Sequence, residues 1–353
     1  MRILLAAHDS GALNIIKPIL RAWHDHSEIE AWFISTPSVL REVKESCKNL
    51  RVPAWAQEVT EPIAADRTDL DALLERHLGS ADWDAVICGT SRLCLLERRL
   101  LLKSRQRGIP SFAICDMWWA YRERFRDGDD LCLPDTLWVI DERMRIEAQA
   151  AMPELVSIEV VGNPFFEEIM HIRTVRHTER RAHLPIRFFS EPVAGKFPNA
   201  RIDEFELAEW LLDTARGEGI GNRIIVRNHP LDSLEQWRRW AWRHRHHAVE
   251  LDIEPMDVCM LTTGTAIGIS SVVLLEMALC GIPAASLQLP DADPTYYCLP
   301  FVDFGISRIR EPAGLVHWLT SHDDSKGPKL VDGHHDAINR IAVSVLRLAD
   351  SGR

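Results

Sequence analysis

Short apolar runs alternate with longer amphipathic segments along the chain, the pattern of βα units around a parallel sheet. In the first half the runs predict strands at Ile3–Ala7, Ala31–Ser35, Ala85–Gly89, Ser111–Asp116, Thr136–Ile140 and Ile158–Gly162. Between them, helical periodicity falls on Gly11–His26, Asp69–His77, Leu93–Arg107 and Glu142–Ala151. Gly108 ends one helix and Pro110 opens the next strand, a normal junction. The second half predicts strands at Ile186–Ser190, Arg223–Arg227, Ala248–Leu251, Val258–Leu261 and Ala284–Leu287. Its helices are expected near Ile202–Arg216, Ser233–Arg243 and Ser270–Cys280, and a last amphipathic helix near Ala337–Leu348. The expected organisation is a Rossmann-like domain at 1–170 and a mixed-charge linker at 171–184. A second Rossmann-like domain follows at 185–334, then a C-terminal helix at 335–353 that crosses back to the first domain. Two α/β halves with parallel sheets facing a central cleft are the expected architecture. Ligands of such sheets bind outside the carboxyl ends of the strands.

Length and charge narrow the picture. A chain of 353 residues exceeds one ordinary core. Hydrophobic residues at 46% and charged ones at 26% are globular values. A net charge of −11 argues against a nucleic-acid binder but permits a local pocket for a small anion. The 8 cysteines form no CxxC pair, and several sit in apolar runs, so reduced buried thiols in a cytoplasmic protein are expected, without disulfide or metal. No run approaches the roughly 20 apolar residues of a membrane span, which leaves peripheral contact as the expected limit of any membrane attachment. The His244-Arg-His-His247 cluster has no acid or cysteine at ligand spacing and reads as a solvated helix end.

Candidate chemistry gathers at the strand ends. After the first strand, His8-Asp9-Ser10-Gly11 offers a histidine and an acid, a capping hydroxyl, and a glycine that permits close backbone approach. After the third comes Gly89-Thr90-Ser91. The fourth runs into Asp116-Met-Trp-Trp-Ala-Tyr121-Arg122-Glu123-Arg124, where Asp116 suits a general base beside arginines and aromatic walls, or else pairs with Arg122. In the second half Ser190 closes one strand and Arg227-Asn228-His229-Pro230 another; His229 and Arg227 suit a phosphate. The run Gly264-Thr265…Gly268-Ile-Ser270-Ser271…Glu276…Gly281 reads as strand, hydroxyl-rich loop and helix, a seat for phosphate with Glu276 reachable from the same side. It matches neither the Walker A nor the GxGxxG pattern.

The order of these elements resembles GT-B glycosyltransferases and their relatives, the UDP-sugar 2-epimerases and lipid A disaccharide synthase. The Arg227–Pro230 turn followed by Ser270, Ser271 and Glu276 is similar to the His-Pro and Ser-Ser elements of bacterial CMP-sugar transferases. The Asp116–Phe125 run resembles an Asp-x-Trp-x-x-Tyr-Arg-x-Arg-Phe run of polysaccharide-locus proteins. The resemblance implies donor contacts at Ser190, Arg227, His229, Pro230, Gly264, Thr265, Ser270, Ser271 and Glu276. It implies an acceptor side at Ser10, Gly11, Tyr121, Arg122 and Arg124, and a base among Asp116, Asp9 and His8. The implied activity is metal-independent transfer of a sugar from a nucleotide donor, with no cofactor, to a glycan, lipid-linked or small-molecule acceptor. The His-Arg-x-Glu-Asn run of the 2-epimerases and the acidic-acidic-Gly motif of the sialyltransferases have no full counterpart here. A UDP-sugar 2-epimerase or hydrolase, and a non-catalytic nucleotide-sugar binder, are the alternatives.

Overall fold

The structure is a computed structural model that describes residues 1–79, 81–92, 94–155, 157–176, 184–197, 199–221, 223–292, 297–321 and 336–351, with backbone alone at 173–176, 194, 321 and 348–351. Most of the expected linker, 177–183, and of the expected loop at 321–335 lie outside the described residues. The chain divides into two compact units, 1–168 with 332–353, and 169–331.

The first unit holds β1 (Arg2–Ala6), β2 (Glu30–Ile34), β3 (Ala85–Cys88), β4 (Ser111–Ile114), a two-stranded hairpin of β5 (Arg126–Asp127) and β6 (Asp130–Leu131), then β7 (Thr136–Val139) and β8 (Ser157–Val160). Six of these form a parallel sheet in the order β2-β1-β3-β4-β7-β8. β3, β4 and β7 are buried along their whole length, because crossover helices cover both faces of the sheet. The order matters for the site: β1 pairs β3 (Ala6 beside Cys88) and β3 pairs β4 (Cys88 beside Ala113). The turns that follow these strands therefore leave the sheet as neighbours.

The helix Leu96–Gln106 crosses from β3 to β4. Arg99, 4% exposed, pairs there with Asp71, with Asp127 at 3.2 Å and with Asp130 at 2.8 Å, fastening the helix to Arg67–Leu78 and to the hairpin. The helix Ala337–Ser351 belongs to the same unit: Trp138 Nε1 donates to Ser344 Oγ at 3.0 Å, and the amides of Asp336 and Ala337 donate to Glu167.

The second unit holds β9 (Ile186–Phe189), β10 (Ile224–Arg227), β11 (Val249–Leu251), β12 (Thr265–Gly268), β13 (Ala284–Leu287) and β14 (Ser307–Ile309), all parallel, in the order β11-β10-β9-β12-β13-β14. That is the strand order of a doubly wound dinucleotide-type fold. The expected strand Val258–Leu261 is instead part of the helix Met256–Thr262. Cys259 and Met260 are buried while Asp257 and Leu261 are exposed, which is one-sided helical burial; a short apolar run alone does not separate that from a buried strand. The true strand begins at Thr265.

Among the described residues no helix is long and apolar enough to cross a membrane. None of their His, Cys, Asp and Glu side chains form a group that could hold a metal ion.

Candidate functional site

In the first unit the turns after β1, β3 and β4 carry the chemistry. Asp9 caps the helix Ser10–Trp23, accepting the Ala12 amide at 2.8 Å, so the cap is Asp9 and not the exposed Ser10. Asp116 receives Arg124 Nη1 at 2.7 Å, and the same Arg124 nitrogen donates to Thr90 O and Oγ1 at 2.9 and 3.0 Å. The partner of Asp116 is therefore Arg124, 5% exposed, and not Arg122. Burial raises the Asp116 carboxyl above its ordinary range; Arg124 opposes the shift and the nearby Asp9 adds to it. A carboxylate so placed holds a proton more firmly than a solvated one and is correspondingly the better base.

Gly11 is required by proximity. A Cβ at this position would fall 2.2 Å from Asp116 Oδ2. The glycine thus admits Asp116, where sequence suggested that it admits a ligand. Gly89 makes room first for the Ala12 methyl and then for a second acid, Glu97, whose Oε1 would lie 2.9 Å from a Cβ there. Glu97 is 1% exposed and accepts the His8 amide at 3.2 Å. Burial, reinforced by Asp9, pushes its carboxyl well above the usual range. The sequence reading passed over Glu97. Its one signal is an acid on the apolar stripe of a helix, a turn before buried Leu101.

Two expected acceptor-side residues are spent elsewhere. Tyr121 Oη donates to Glu147 at 2.7 Å, and Arg122 pairs with Glu154 at 2.8 Å on the surface. The backbone explains the divergence: Ala120 has φ 55, a left-handed conformation that a non-glycine residue adopts only when its surroundings enforce it. That bend sends Tyr121 and Arg122 toward the Glu142–Ala151 helix and the residues after it, while Arg124 returns to Asp116. Trp118 is core, with Nε1 on Asp141 at 2.6 Å. Trp119 is 38% exposed beneath the guanidinium of Arg92, 4.7 Å from its ring centre.

The second unit presents a different edge. His229 takes the Leu231 amide on Nδ1 at 3.1 Å, and its own amide donates to Asp232 at 3.0 Å. The ring is thereby held in the tautomer with hydrogen on Nε2, a donor left free among the described residues. Pro230 stands exposed in the same turn. Arg227 does not join it: its Nη1 donates to Asp252 at 3.0 Å and to Glu254 O at 2.7 Å, drawn inward by a carboxylate that also binds Arg187 at 3.1 Å. Gly264 and Thr265 are misplaced as well. Both amides bond Pro185 O before β12 begins, at the amino edge of the sheet and thus at the wrong end for a ligand at the carboxyl edge.

Ser190, Ser270 and Ser271 do lie at the carboxyl ends of β9 and β12. Ser190 Oγ is buried without a partner among the described residues. Ser270 is occupied: its amide donates to Glu191, its Oγ lies 3.2 Å from both oxygens of that carboxylate, and Lys196 pairs with Glu191 at 2.6 Å. Glu191, another residue missed from sequence, fills the anion seat expected for a phosphate. Ser271 Oγ accepts the Val273 amide at 3.3 Å and starts the short helix Val273–Leu279. Glu276 is 4% exposed, and burial alone raises its carboxyl to about 7.

No family model matches the chain, and no curated protein matches it in sequence. Solved structures do match in fold. The UDP-GlcNAc 2-epimerase of Neisseria meningitidis, bound to UDP-GlcNAc, is 13% identical with TM-score 0.68, covering 98% of this chain and 100% of that one. The UDP-GlcNAc 2-epimerase of Methanocaldococcus jannaschii is 12% identical with TM-score 0.69 over 98% and 100%. MurG of Acinetobacter baumannii is 11% identical with TM-score 0.53 over 98% and 94%. Two six-stranded parallel sheets in sequence, the second in 3-2-1-4-5-6 order, together with these likenesses give the chain the α/β fold that the UDP-GlcNAc 2-epimerases and MurG share, the GT-B fold.

Proposed function

We propose that the chain is an enzyme acting on a nucleotide-linked sugar, with 2-epimerase or hydrolase chemistry on a UDP-sugar as the leading reading. The observation that carries it is the gathering of Asp116, Asp9 and His8 at adjoining strand ends of one sheet, with Arg124 as the counter-charge and Glu97 against the His8 turn. Inverting a sugar carbon breaks a C–H bond and remakes it on the other face, which requires groups that both take and give a proton. Buried acids raised above their ordinary range suit that exchange better than a single acid in water. Likeness in fold to structures described as UDP-GlcNAc 2-epimerases, one with UDP-GlcNAc bound, supports the same reading. In the second unit His229, Ser190, Ser271 and Glu276 are the proposed donor contacts, and Ser270 acts through its hold on Glu191.

Sugar transfer to a glycan or lipid-linked acceptor is the second reading. It is favoured by the likeness to MurG and needs only Asp116 to activate an acceptor hydroxyl. Incubation with UDP-GlcNAc in D₂O separates the readings. An epimerase returns UDP-sugar of changed configuration carrying deuterium at C2. A hydrolase releases UDP and free sugar, and a transferase leaves the donor intact until an acceptor is added. Absence of both turnover and thermal shift across UDP-, CMP-, GDP- and ADP-sugars would sink the proposal, since any ligand of the native state raises apparent stability by mass action.

A further inference from the structure

The helix Leu96–Gln106 places an acid where its buried stripe calls for an apolar residue. Leu96, Leu100 and Leu101 are at most 1% exposed, and Glu97 is as deeply buried beside them. Among the described residues no ion pair holds it. Arg98 of the same helix donates to the carbonyls of Arg126, Arg92 and Cys94, and Arg99 to Asp71, Asp127 and Asp130. Glu97 instead takes the His8 amide at 3.2 Å and lies by the backbone of Ser91, so one side chain borders the turns after both β1 and β3. Around that closure three buried polar atoms have no partner among the described residues: Glu97 Oε2, Ser91 Oγ and His8 Nδ1. Each such atom costs about 1–3 kcal/mol, and apolar packing would have avoided the expense.

We propose that Glu97 is a positioning residue for the site at Asp116, setting the His8 and Ser91 turns so that His8 Nδ1, Ser91 Oγ and its own Oε2 receive a hydroxyl-bearing ligand. The identity of that ligand as a sugar rests on the function proposed above; the closure of the turns does not. The charged and titratable groups about Glu97 are Asp9, which disfavours its ionisation, Arg98, which favours it, and the thiols of Cys88 and Cys94. Together with burial they raise its affinity for a proton, and the protonated form carries an O–H to donate.

Three variants of the full chain test this. Glu97→Gln keeps an acceptor for the amides and a donor in place of the acid proton. Glu97→Met fills the space with neither, and Glu97→Asp keeps the carboxyl but shortens its reach. Amide hydrogen exchange at His8 and Ser91 is expected to quicken about tenfold or more in the Met and Asp variants, with Leu4 and Ile87 unchanged and Glu97→Gln like the parent. On UDP-GlcNAc, kcat of Glu97→Met and Glu97→Asp should fall about a hundredfold with KM within about twofold, and Glu97→Gln should restore it. Should Glu97→Met fail to fold, the Asp and Gln variants carry both measurements. Unchanged exchange in Glu97→Asp overturns the proposal whatever the activity, and so does parental kcat in that variant. Quickened exchange in the Met and Asp variants of a parent that turns over no nucleotide sugar supports the Glu97 closure and overturns the sugar reading.

Discussion

The carboxyl ends of the two sheets are built on one plan and finished in opposite ways. In the first unit Asp9 and Asp116 lie about one buried arginine with Glu97 close to Asp9, Glu97 and Asp116 have raised proton affinity, and several polar atoms go without partners among the described residues. In the second unit the acids at the strand ends are paired from within, Glu191 by Ser270 and Lys196 and Asp252 by Arg187, Arg227 and Cys259, while Asp232 is held through Oδ2 alone and Ser190 Oγ has no partner among the described residues. Unsatisfied, mutually repelling acids are a standing cost, and such costs concentrate where chemistry is done. Self-satisfied turns are rigid, which suits recognition. Under the proposed function, the contrast fits proton transfer in the first unit and grip in the second.

The largest expected effect tests that division directly. Asp116→Asn should lower kcat on UDP-GlcNAc by about 10²–10⁴-fold while calorimetric affinity holds, whereas His229→Ala should weaken affinity about tenfold and leave kcat of the saturated enzyme nearly intact. The reverse pattern would exchange the roles of the two units.

Glu276 is the exception in the second unit, a buried acid raised to about 7. Its folded value lies above the unfolded 4.5, so the stability it permits is complete below about pH 4.5 and is lost as pH rises through 7. Glu276→Gln should therefore melt with the parent at pH 4 and be more stable at pH 8, by up to about 3 kcal/mol. Equal stability at both would mean that the carboxyl finds a counter-charge in solution.

Smaller effects follow from the glycines. Gly11→Ala should cost about 1–3 kcal/mol in urea unfolding, because its Cβ displaces Asp116, and should reduce turnover with it. Gly217→Ala, at the end of the Glu204–Gly217 helix with nothing within 4 Å of the added carbon, should gain about 0.4–1 kcal/mol. If both variants behave alike, close approach at Gly11 is not what the position requires.

The strands and most helices could be read from the chain, since apolar runs such as Ala284–Leu287 and Thr136–Val139 are buried on both faces and bounded by polar turns. Met256–Thr262 was misread because seven residues give too few turns to separate periods of 2 and 3.6, and the error carried Gly264 and Thr265 to the wrong end of a strand. Asp9 and Asp116 could be placed at strand ends from local pattern alone. Glu97 could not, since it meets His8 across 89 positions, and nothing local marks a contact so remote. Tyr121 and Arg122 looked equivalent to Arg124 until the left-handed Ala120 turned them aside.

Sequence by itself determined the alternation of strands and helices, the turns in which acids and hydroxyls lie, and a net charge of −11. Which of those side chains meet was decided only by tertiary structure. Placing β3 between β1 and β4 brings the turns at 8–9, 89–91 and 116 together. Burial, which no residue carries on its own, then turns ordinary carboxyl groups into strong proton acceptors.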